Sequence, residues 1–231
     1  MDYSPDELKM VRSILHTKTW FGFDLDDTLH EFRKASGAAV LTTLSKISSK
    51  YQIPIENLQA TYKKVLAQKM AQSFTDGKTS DDYRKERFAA VLKGFSIETN
   101  TTLLNELAVV YKIELGHSLE LKAGAKSLLT YLKSLGKKIV IITEGPQDAQ
   151  EWTLGRLGLS EQVDYLASTN FFGVSKVDGL FEKVLEELKI DAIDLVYVGD
   201  SWERDICLLR RLKFSPSTIV RMVIISWMGM D

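Results

Sequence analysis

Short apolar runs that end in a polar residue recur along the chain and predict the strands of a sheet. The runs and the residues that end them are 19–23 with Asp24, 138–142 with Thr143, and 194–199 with Asp200. Nearly continuous apolar runs are typical of parallel strands that are buried on both faces, and helical spacing follows each run. The pattern therefore predicts an α/β fold with a parallel sheet.

The stretch between the first two predicted strands has helical spacing and no convincing strand. It divides into four candidate helices near three breakers, Pro54, Gly77 and Gly94. A structureless loop of this length is uncommon in a compact domain, so the stretch predicts a second, all-helical lobe. The expected division is residues 31–116 for the inserted lobe, and residues 1–30 with 117–231 for the core.

Two further elements are expected in the second half of the chain. Apolar residues at spacings of three and four precede the second strand, and Gly136 follows where a helix often ends on a glycine, which predicts a helix over about 125–135. Near the end of the chain, the β-branched stretch Ile219–Ser226 predicts a last strand of the sheet.

Composition restricts the partners of the protein. The 231 residues include 30 basic and 31 acidic side chains, so no excess charge would attract nucleic acid or anionic lipid. The single cysteine excludes an internal disulfide framework, and the first residues lack the features of a signal peptide. No apolar run approaches the roughly 20 residues of a membrane span. We expect a cytoplasmic protein without a nucleic-acid or membrane partner, and its oligomeric state stays open.

Acidic residues at the ends of the predicted strands are candidates for a metal site. Asp24 and Asp26 directly follow one strand, and Asp200 and Asp205 follow another. Open α/β sheets bind ligands at this edge, so we expect the four carboxylates to lie close together. Like charges about 4 Å apart repel by roughly 4 kcal/mol at an effective dielectric near 20, and Mg²⁺ prefers oxygen ligands. The sequence therefore predicts a magnesium site.

Two other polar segments suit a phosphate group. Thr143, Glu144 and Gly145 offer a hydroxyl group and free backbone N–H groups after the second strand. Lys176 offers a positive charge for phosphate oxygens. These segments extend the predicted magnesium site into a candidate phosphoryl-transfer site.

Three residues outside these segments have weaker functional interpretations. Arg84 and Arg87 lie in a polar stretch of the helical lobe, where either one is a candidate contact for a substrate anion. The alternative for that stretch is a solvated helix face with a Ser80 or Asp81 cap. His30 follows the first acidic segment. Its functional interpretation is that it gates the helical lobe, but we expect it to be a half-exposed loop residue.

In their order along the chain, these segments resemble the haloacid dehalogenase superfamily of hydrolases, in its C1 class with a helical cap. The family's first motif, Asp-x-Asp-x-Thr after a hydrophobic strand, is met by residues 24–28. Its second and third motifs are met by Thr143 and Lys176, and its fourth by Asp200 and Asp205. The resemblance implies a Rossmann-like core and a cap that closes over the active site.

The resemblance also implies a two-step phosphoryl transfer. Asp24 would form an aspartyl-phosphate that water then hydrolyses, while Asp26 would protonate the leaving group and later activate the water. Asp24, the backbone carbonyl of Asp26, and Asp200 would hold Mg²⁺. Thr143 and Lys176 would bind the transferring phosphoryl group, with Asp205 orienting Lys176 or a metal-bound water.

The leading expectation is a magnesium-dependent phosphatase that acts on a small phosphorylated metabolite, such as a sugar phosphate or a nucleotide. A closing helical lid admits small substrates more readily than protein surfaces. A phosphomutase shares all four motifs, so it stays open. A 2-haloacid dehalogenase attacks carbon and needs no proton donor at Asp26, which argues against it. A binding module that has lost turnover is the alternative from another class.

Overall fold

Five parallel strands form the core of the structure, a computed structural model. It describes residues 9, 13–69, 74–201, 204–205 and 219–221. The strands are β1 (Trp20–Phe23), β2 (Lys138–Thr143), β3 (Tyr165–Ser168), β4 (Leu195–Gly199) and β5 (Ile219–Arg221). Every neighbouring pair is parallel, in the order β3-β2-β1-β4-β5. The predicted α/β fold with a Rossmann-like parallel sheet is confirmed.

The register of the sheet brings the ends of three strands to one edge. Phe23, the last residue of β1, pairs with Ile141 of β2 and with Val198 of β4. The next residue continues this alignment, because the Asp24 N–H donates to the carbonyl of Val198 at 2.9 Å. The carboxyl ends of β1, β2 and β4 therefore open on the same crevice.

The described residues 13–17 before β1 are helical, and eight α-helices lie between β1 and β4. They are α1 (Phe32–Tyr51), α2 (Ile55–Lys69), α3 (Ser80–Lys93), α4 (Thr101–Ser118), α5 (Ala125–Ser134), α6 (Gln147–Arg156), α7 (Thr169–Phe172) and α8 (Leu180–Leu188). The first four lie between β1 and β2, which confirms the predicted run of four helices, and α5 confirms the helix expected before β2. Among the described helices, none is long and apolar enough to cross a membrane.

Local sequence explains where several of these helices begin and end. Thr79 caps α3 through a reciprocal capping box with Asp82, and the side chain of Asn100 accepts a hydrogen bond from Leu103 N at the start of α4. Gly136, just after α5, has φ of 70°, as expected for a glycine beyond a helix C-terminus.

The apolar side chains form separate clusters in the helical insertion and on the two faces of the sheet. The insertion has its own buried core, built around residues such as Leu44, Leu58 and Phe88. On β1 and β2, one sheet face buries Phe23 and Ile141. The other face buries residues from β2 and β4 with the aromatic and aliphatic side chains of α8. Both sheet faces are covered, as a parallel sheet requires.

Two strands differ from the sequence expectations. The sequence interpretation missed β3, because four residues at the edge of a sheet are too short for a clear periodic pattern. The expected last strand begins as predicted, since Ile219–Arg221 pairs with β4. The remainder of that predicted strand, residues 222–226, lies outside the described residues.

Candidate active site

Asp24 is held at the end of β1 with both carboxylate oxygens engaged. It is buried, and Lys176 Nζ donates to its Oδ1 at 2.6 Å. The hydroxyl of Thr28 donates to its Oδ2 at 3.2 Å. The turn that brings Thr28 back to Asp24 places Asp27 in the left-handed region, with φ of 60°. The Asp-x-Asp-x-Thr segment is therefore a compact turn around one carboxylate.

Lys176 lies at the centre of a buried polar cluster. It begins a single 3₁₀ turn, Lys176–Asp178, and only 3% of the residue is exposed. Besides Asp24, its ammonium group donates to Asp205 Oδ1 at 2.7 Å and to the Tyr197 hydroxyl at 3.0 Å. An ammonium group has three N–H donors, so these partners use all of them and fix the position of the charge.

Tyr197 is a member of this cluster that the sequence interpretation missed. Its hydroxyl lies 3.0 Å from the carbonyl oxygen of Ile142 and 3.1 Å from Asp205 Oδ1. It thereby connects β4 to Lys176 and to the backbone just before Thr143. A lone tyrosine in an otherwise aliphatic strand, two residues before Gly199-Asp200, was the available signal.

The residues after β4 place two more carboxylates beside Asp24. A Cβ on Gly199 would clash with the carboxylate of Asp205, so this glycine makes room for it. The Asp205 Oδ2 accepts a hydrogen bond from Ser201 N at 3.0 Å. Asp24, Asp200 and Asp205 each offer an oxygen, and these oxygens lie within 4.8 Å of one another. The structure thus brings together three of the four carboxylates that were expected to converge, and Asp26 lies nearby.

The electrostatics of the cluster indicate an excess of negative charge. Burial raises the pKa of Asp24 to about 7, against the attraction of Lys176, and the neighbouring Asp205 and Asp26 also raise it. Burial and Asp205 likewise raise the pKa of Asp200. Burial alone would lower the pKa of Lys176, but the adjacent carboxylates raise it. A divalent cation or a bound proton would relieve this repulsion.

The Asp26 side chain contacts a histidine. Its Oδ1 lies 2.9 Å from His30 Nε2, four residues further along the chain. His30 is completely buried, so the expectation of a half-exposed loop residue was wrong. The reason is tertiary, since the backbone of His30 forms an antiparallel bridge with Leu121, a residue that follows the insertion in the sequence.

The segment after β2 only partly matches its expected role. The Thr143 hydroxyl is buried and has no hydrogen-bond partner among the described residues. The Gly145 N–H is not free, because it donates to the Thr169 hydroxyl at 3.0 Å. This corrects the expectation of an open N–H at Gly145. The carboxylate of Glu144 pairs with Arg204 Nη1 at 2.8 Å.

Arg84 and Arg87 make their described contacts away from the carboxylate cluster, whereas Arg33 of α1 donates from Nη2 to Asp200 Oδ2 at 3.4 Å. Arg84 is buried with only 5% exposed, and its guanidinium lies 5.1 Å from the centre of the Tyr111 ring. Burial lowers the pKa of Arg84. Arg87 donates from Nε to the carbonyl of Tyr83 at 3.2 Å. Arg84 is therefore not part of the solvated helix face that was the alternative for this stretch.

The sequence model of the haloacid dehalogenase-like hydrolases matches residues 19–212. The chain belongs to this family. Membership assigns it to the hydrolases, and it accounts for the parallel sheet and for the acidic turn after β1. The matched range includes the helical insertion and all four segments of the cluster.

Individual relatives of this family are similar at low identity. A glyceraldehyde 3-phosphate phosphatase of Methanocaldococcus jannaschii is 28% identical over 204 residues, which cover 85% of this chain and 79% of the relative. The protein of the same name from Pyrococcus abyssi is 24% identical over 187 residues, covering 80% and 74%. The magnesium-bound structure of the HAD-hydrolase YfnB from Bacillus subtilis has a TM-score of 0.66 at 24% identity, covering 86% of both chains.

Proposed function

We propose that this hydrolase is a magnesium-dependent phosphatase of a small phosphorylated metabolite and works through an aspartyl-phosphate on Asp24. The proposal rests mainly on the Asp24 carboxylate, which accepts hydrogen bonds from Lys176 at 2.6 Å and from Thr28 at 3.2 Å. A second aspartate, Asp26, follows two residues later. The two relatives that are named glyceraldehyde 3-phosphate phosphatases support a small phosphorylated substrate.

Asp24 is the proposed nucleophile. One of its oxygens attacks phosphorus while the bond from phosphorus to the leaving oxygen breaks. Lys176 and Thr28 orient the carboxylate before the attack, which removes part of the entropic barrier. Burial raises the pKa of Asp24 to about 7 even with Lys176 beside it. A bound cation would therefore increase the fraction of Asp24 that is ionised near neutral pH.

Asp26 is the proposed general acid and base. It gives a proton to the leaving oxygen in the first step, and it takes a proton from the attacking water in the second. Its side chain is 24% exposed, so one part of the carboxyl group is accessible from the crevice while Oδ1 contacts His30. The proton thus returns to Asp26 after each turnover.

Thr143 is the proposed hydrogen-bond donor to the transferring phosphoryl group, and Lys176 is proposed to act on that group through its charge, because its three N–H donors are already engaged. The Thr143 hydroxyl is a buried donor without a partner among the described residues, which suits a phosphate oxygen. Lys176 supplies fixed positive charge for the transition state. Because the Gly145 N–H is engaged by Thr169, we assign no phosphate contact to that donor, and the backbone N–H of Glu144 stays a proposed contact.

The residues at the edge of the sheet fit a magnesium ion. Asp24 and Asp200 offer carboxylate oxygens, which are the ligands that Mg²⁺ prefers, and the backbone carbonyl of Asp26 is the third proposed protein ligand. Asp205 accepts a hydrogen bond from Lys176 on Oδ1 and from Ser201 N on Oδ2, and we assign it to orienting Lys176. When bound, the ion would neutralise charge on the phosphoryl oxygens.

Residues 31–116 are proposed to form a cap domain over a core of residues 1–30 and 117–231. The start of α3 contacts the core directly, because Asp148 accepts hydrogen bonds from the backbone N–H and the hydroxyl of Ser80 at 2.9 and 2.7 Å. Arg84, one turn further along α3, is a proposed substrate contact. No carboxylate pairs with its buried charge in the described part of the chain. Arg87 is the second candidate.

Two alternatives within the family are distinguished by chemistry. A 2-haloacid dehalogenase has no need for a proton donor two residues after the nucleophile, whereas Asp26 occupies that position here. A phosphomutase would return the phosphoryl group to a substrate, so inorganic phosphate would not accumulate. A binding module without turnover would leave Asp24 unmodified.

The deciding experiment measures phosphate release from 4-nitrophenyl phosphate with Mg²⁺, with EDTA, and with the variant Asp24→Asn. We expect turnover only with Mg²⁺ and the wild-type chain, and radiolabelled phosphate on the protein after acid quenching. Asp191→Asn is the matched control, because Asp191 is exposed and precedes β4 at the opposite edge of the sheet. Turnover by Asp24→Asn at the wild-type rate would contradict the proposal.

A further inference from the structure

His30 is bound to Asp26 inside a rigid and completely buried environment. The two side chains meet at 2.9 Å between Nε2 and Oδ1, and no part of His30 is exposed. The backbone on both sides of the histidine is fixed, because Lys122 N donates to Leu29 O and Glu31 N donates to Glu120 O. Its ring therefore has little freedom to leave the carboxyl group.

The surroundings of the ring determine which nitrogen carries its proton. Nδ1 is buried and has no hydrogen-bond partner among the described residues, and the ring meets Phe32 edge-on at 5.9 Å. A proton on Nδ1 would be a buried donor without an acceptor, which is energetically unfavourable. The tautomer with the proton on Nε2 avoids that cost and donates to Asp26.

We propose that His30 is a positioning residue that holds Oδ1 of Asp26 so that Oδ2 exchanges protons with the leaving group and the attacking water. The proposal rests on the proposed phosphatase function. A carboxyl group at a turn rotates between several orientations, and only some of them point a proton at a bound ester. General acid catalysis contributes about 10²–10⁴-fold, and a misplaced acid loses part of it.

The first test compares two variants of similar volume, His30→Gln and His30→Met, of which only the glutamine keeps an N–H donor. The substrates are phenyl phosphate and 4-nitrophenyl phosphate, which differ in the basicity of the leaving group. The basic phenol needs a proton donor more than nitrophenol does. In His30→Met, we expect kcat/KM to fall about 30-fold for phenyl phosphate and less than about threefold for 4-nitrophenyl phosphate.

The expected result for His30→Gln is recovery of most of the lost activity toward phenyl phosphate. In the Asp26→Asn background, His30→Met should have no further effect, because the group that it positions is gone. His117→Gln in the last turn of α4 is the control for replacing a histidine. Equal losses for the two esters, or equal losses in the two His30 variants, would overturn the proposal. Absence of any ester hydrolysis by the wild type would instead overturn the proposed function.

A second measurement tests the proposal without any substitution of His30. Long-range ¹H–¹⁵N correlation in the wild-type protein reports which ring nitrogen of each histidine is protonated, and the chain has three histidines. We expect His30 to carry its proton on Nε2, and we expect the Nε2 signal to shift in Asp26→Asn. A ring that is protonated only on Nδ1 would overturn the proposal whatever the kinetics.

Discussion

Gly22 on the central strand lies directly against the ring of Tyr197, and a Cβ at this position would come within 2.8 Å of the tyrosine Cδ2. The ring also packs edge-on against Phe181, with 4.9 Å between the ring centres. Its hydroxyl in turn contacts Lys176 at 3.0 Å. The missing side chain on β1 therefore makes room for a residue that holds Lys176, the proposed catalytic lysine, in place.

Gly22→Ala should destabilise the protein by about 1–3 kcal/mol, because the added methyl group overpacks a ring that cannot move away. Urea unfolding at neutral pH measures the change. Gly37→Ala is the matched control, since nothing lies within 4 Å of a Cβ at this exposed position of α1. That substitution should stabilise the helix by about 0.5–1 kcal/mol. Equal effects at both glycines would refute the packing argument.

Without a divalent ion, the wild-type protein should lose stability relative to Asp24→Asn as the pH rises from about 4 to about 7. Folded Asp24 keeps its proton up to a pKa of about 7, whereas the unfolded chain releases it near 3.8. The folded state thus binds more protons in this window, and stability falls with pH by at most about 1.4 kcal/mol per unit.

Added Mg²⁺ should reverse this loss at pH 7.5 and above, since it relieves the charge that destabilises ionised Asp24. At a concentration 100 times Kd, the expected gain in unfolding free energy is about 2.7 kcal/mol. Thermal unfolding across the pH range, with EDTA or with Mg²⁺, measures both effects. Wild-type and Asp24→Asn curves that stay parallel from pH 4 to 7 would show that burial does not shift this carboxyl group.

Thr143→Val should reduce kcat/KM by about 10- to 100-fold and leave the unfolding free energy within about 0.5 kcal/mol of the wild type. The Thr143 hydroxyl has no partner to lose in the free protein, whereas a hydrogen bond to a charged phosphate is worth about 1.5–3 kcal/mol. Thr169→Val provides the contrast, because its hydroxyl accepts from Gly145 N at 3.0 Å. We expect that variant to be less stable by about 1–3 kcal/mol.

Asp148→Asn should raise KM by about 5- to 30-fold with little change in kcat, because it weakens two hydrogen bonds between α6 and the start of α3 at Ser80. Asp81→Asn is the control, since this carboxylate lies in the same first turn but pairs with Lys85 at 2.7 Å. Steady-state kinetics on the same ester would distinguish the two. A larger effect from Asp81→Asn would show that helix charge, and not the contact with the core, controls KM.

Much of the site was predictable because its parts are local. A buried strand that stops at Asp24, Thr143 or Asp200 is visible as an apolar run, and parallel strands necessarily present these ends at one edge. The four helices of the insertion follow from their own periodicity and from the breakers between them. The cap of α3 also depends only on nearby residues, but the sequence interpretation placed it at Ser80 or Asp81, and this was wrong, since Thr79 forms the capping box with Asp82.

The sequence by itself thus determined the parallel α/β core, the helical insertion, and the group of acidic residues beside a lysine. The tertiary structure alone decided that His30 is buried against Asp26, that the Gly145 N–H is occupied by Thr169, and that Tyr197 contacts Lys176. The physical reason is that burial and hydrogen-bond pairing depend on contacts between segments that are distant in the sequence. Local periodicity contains no information about those contacts.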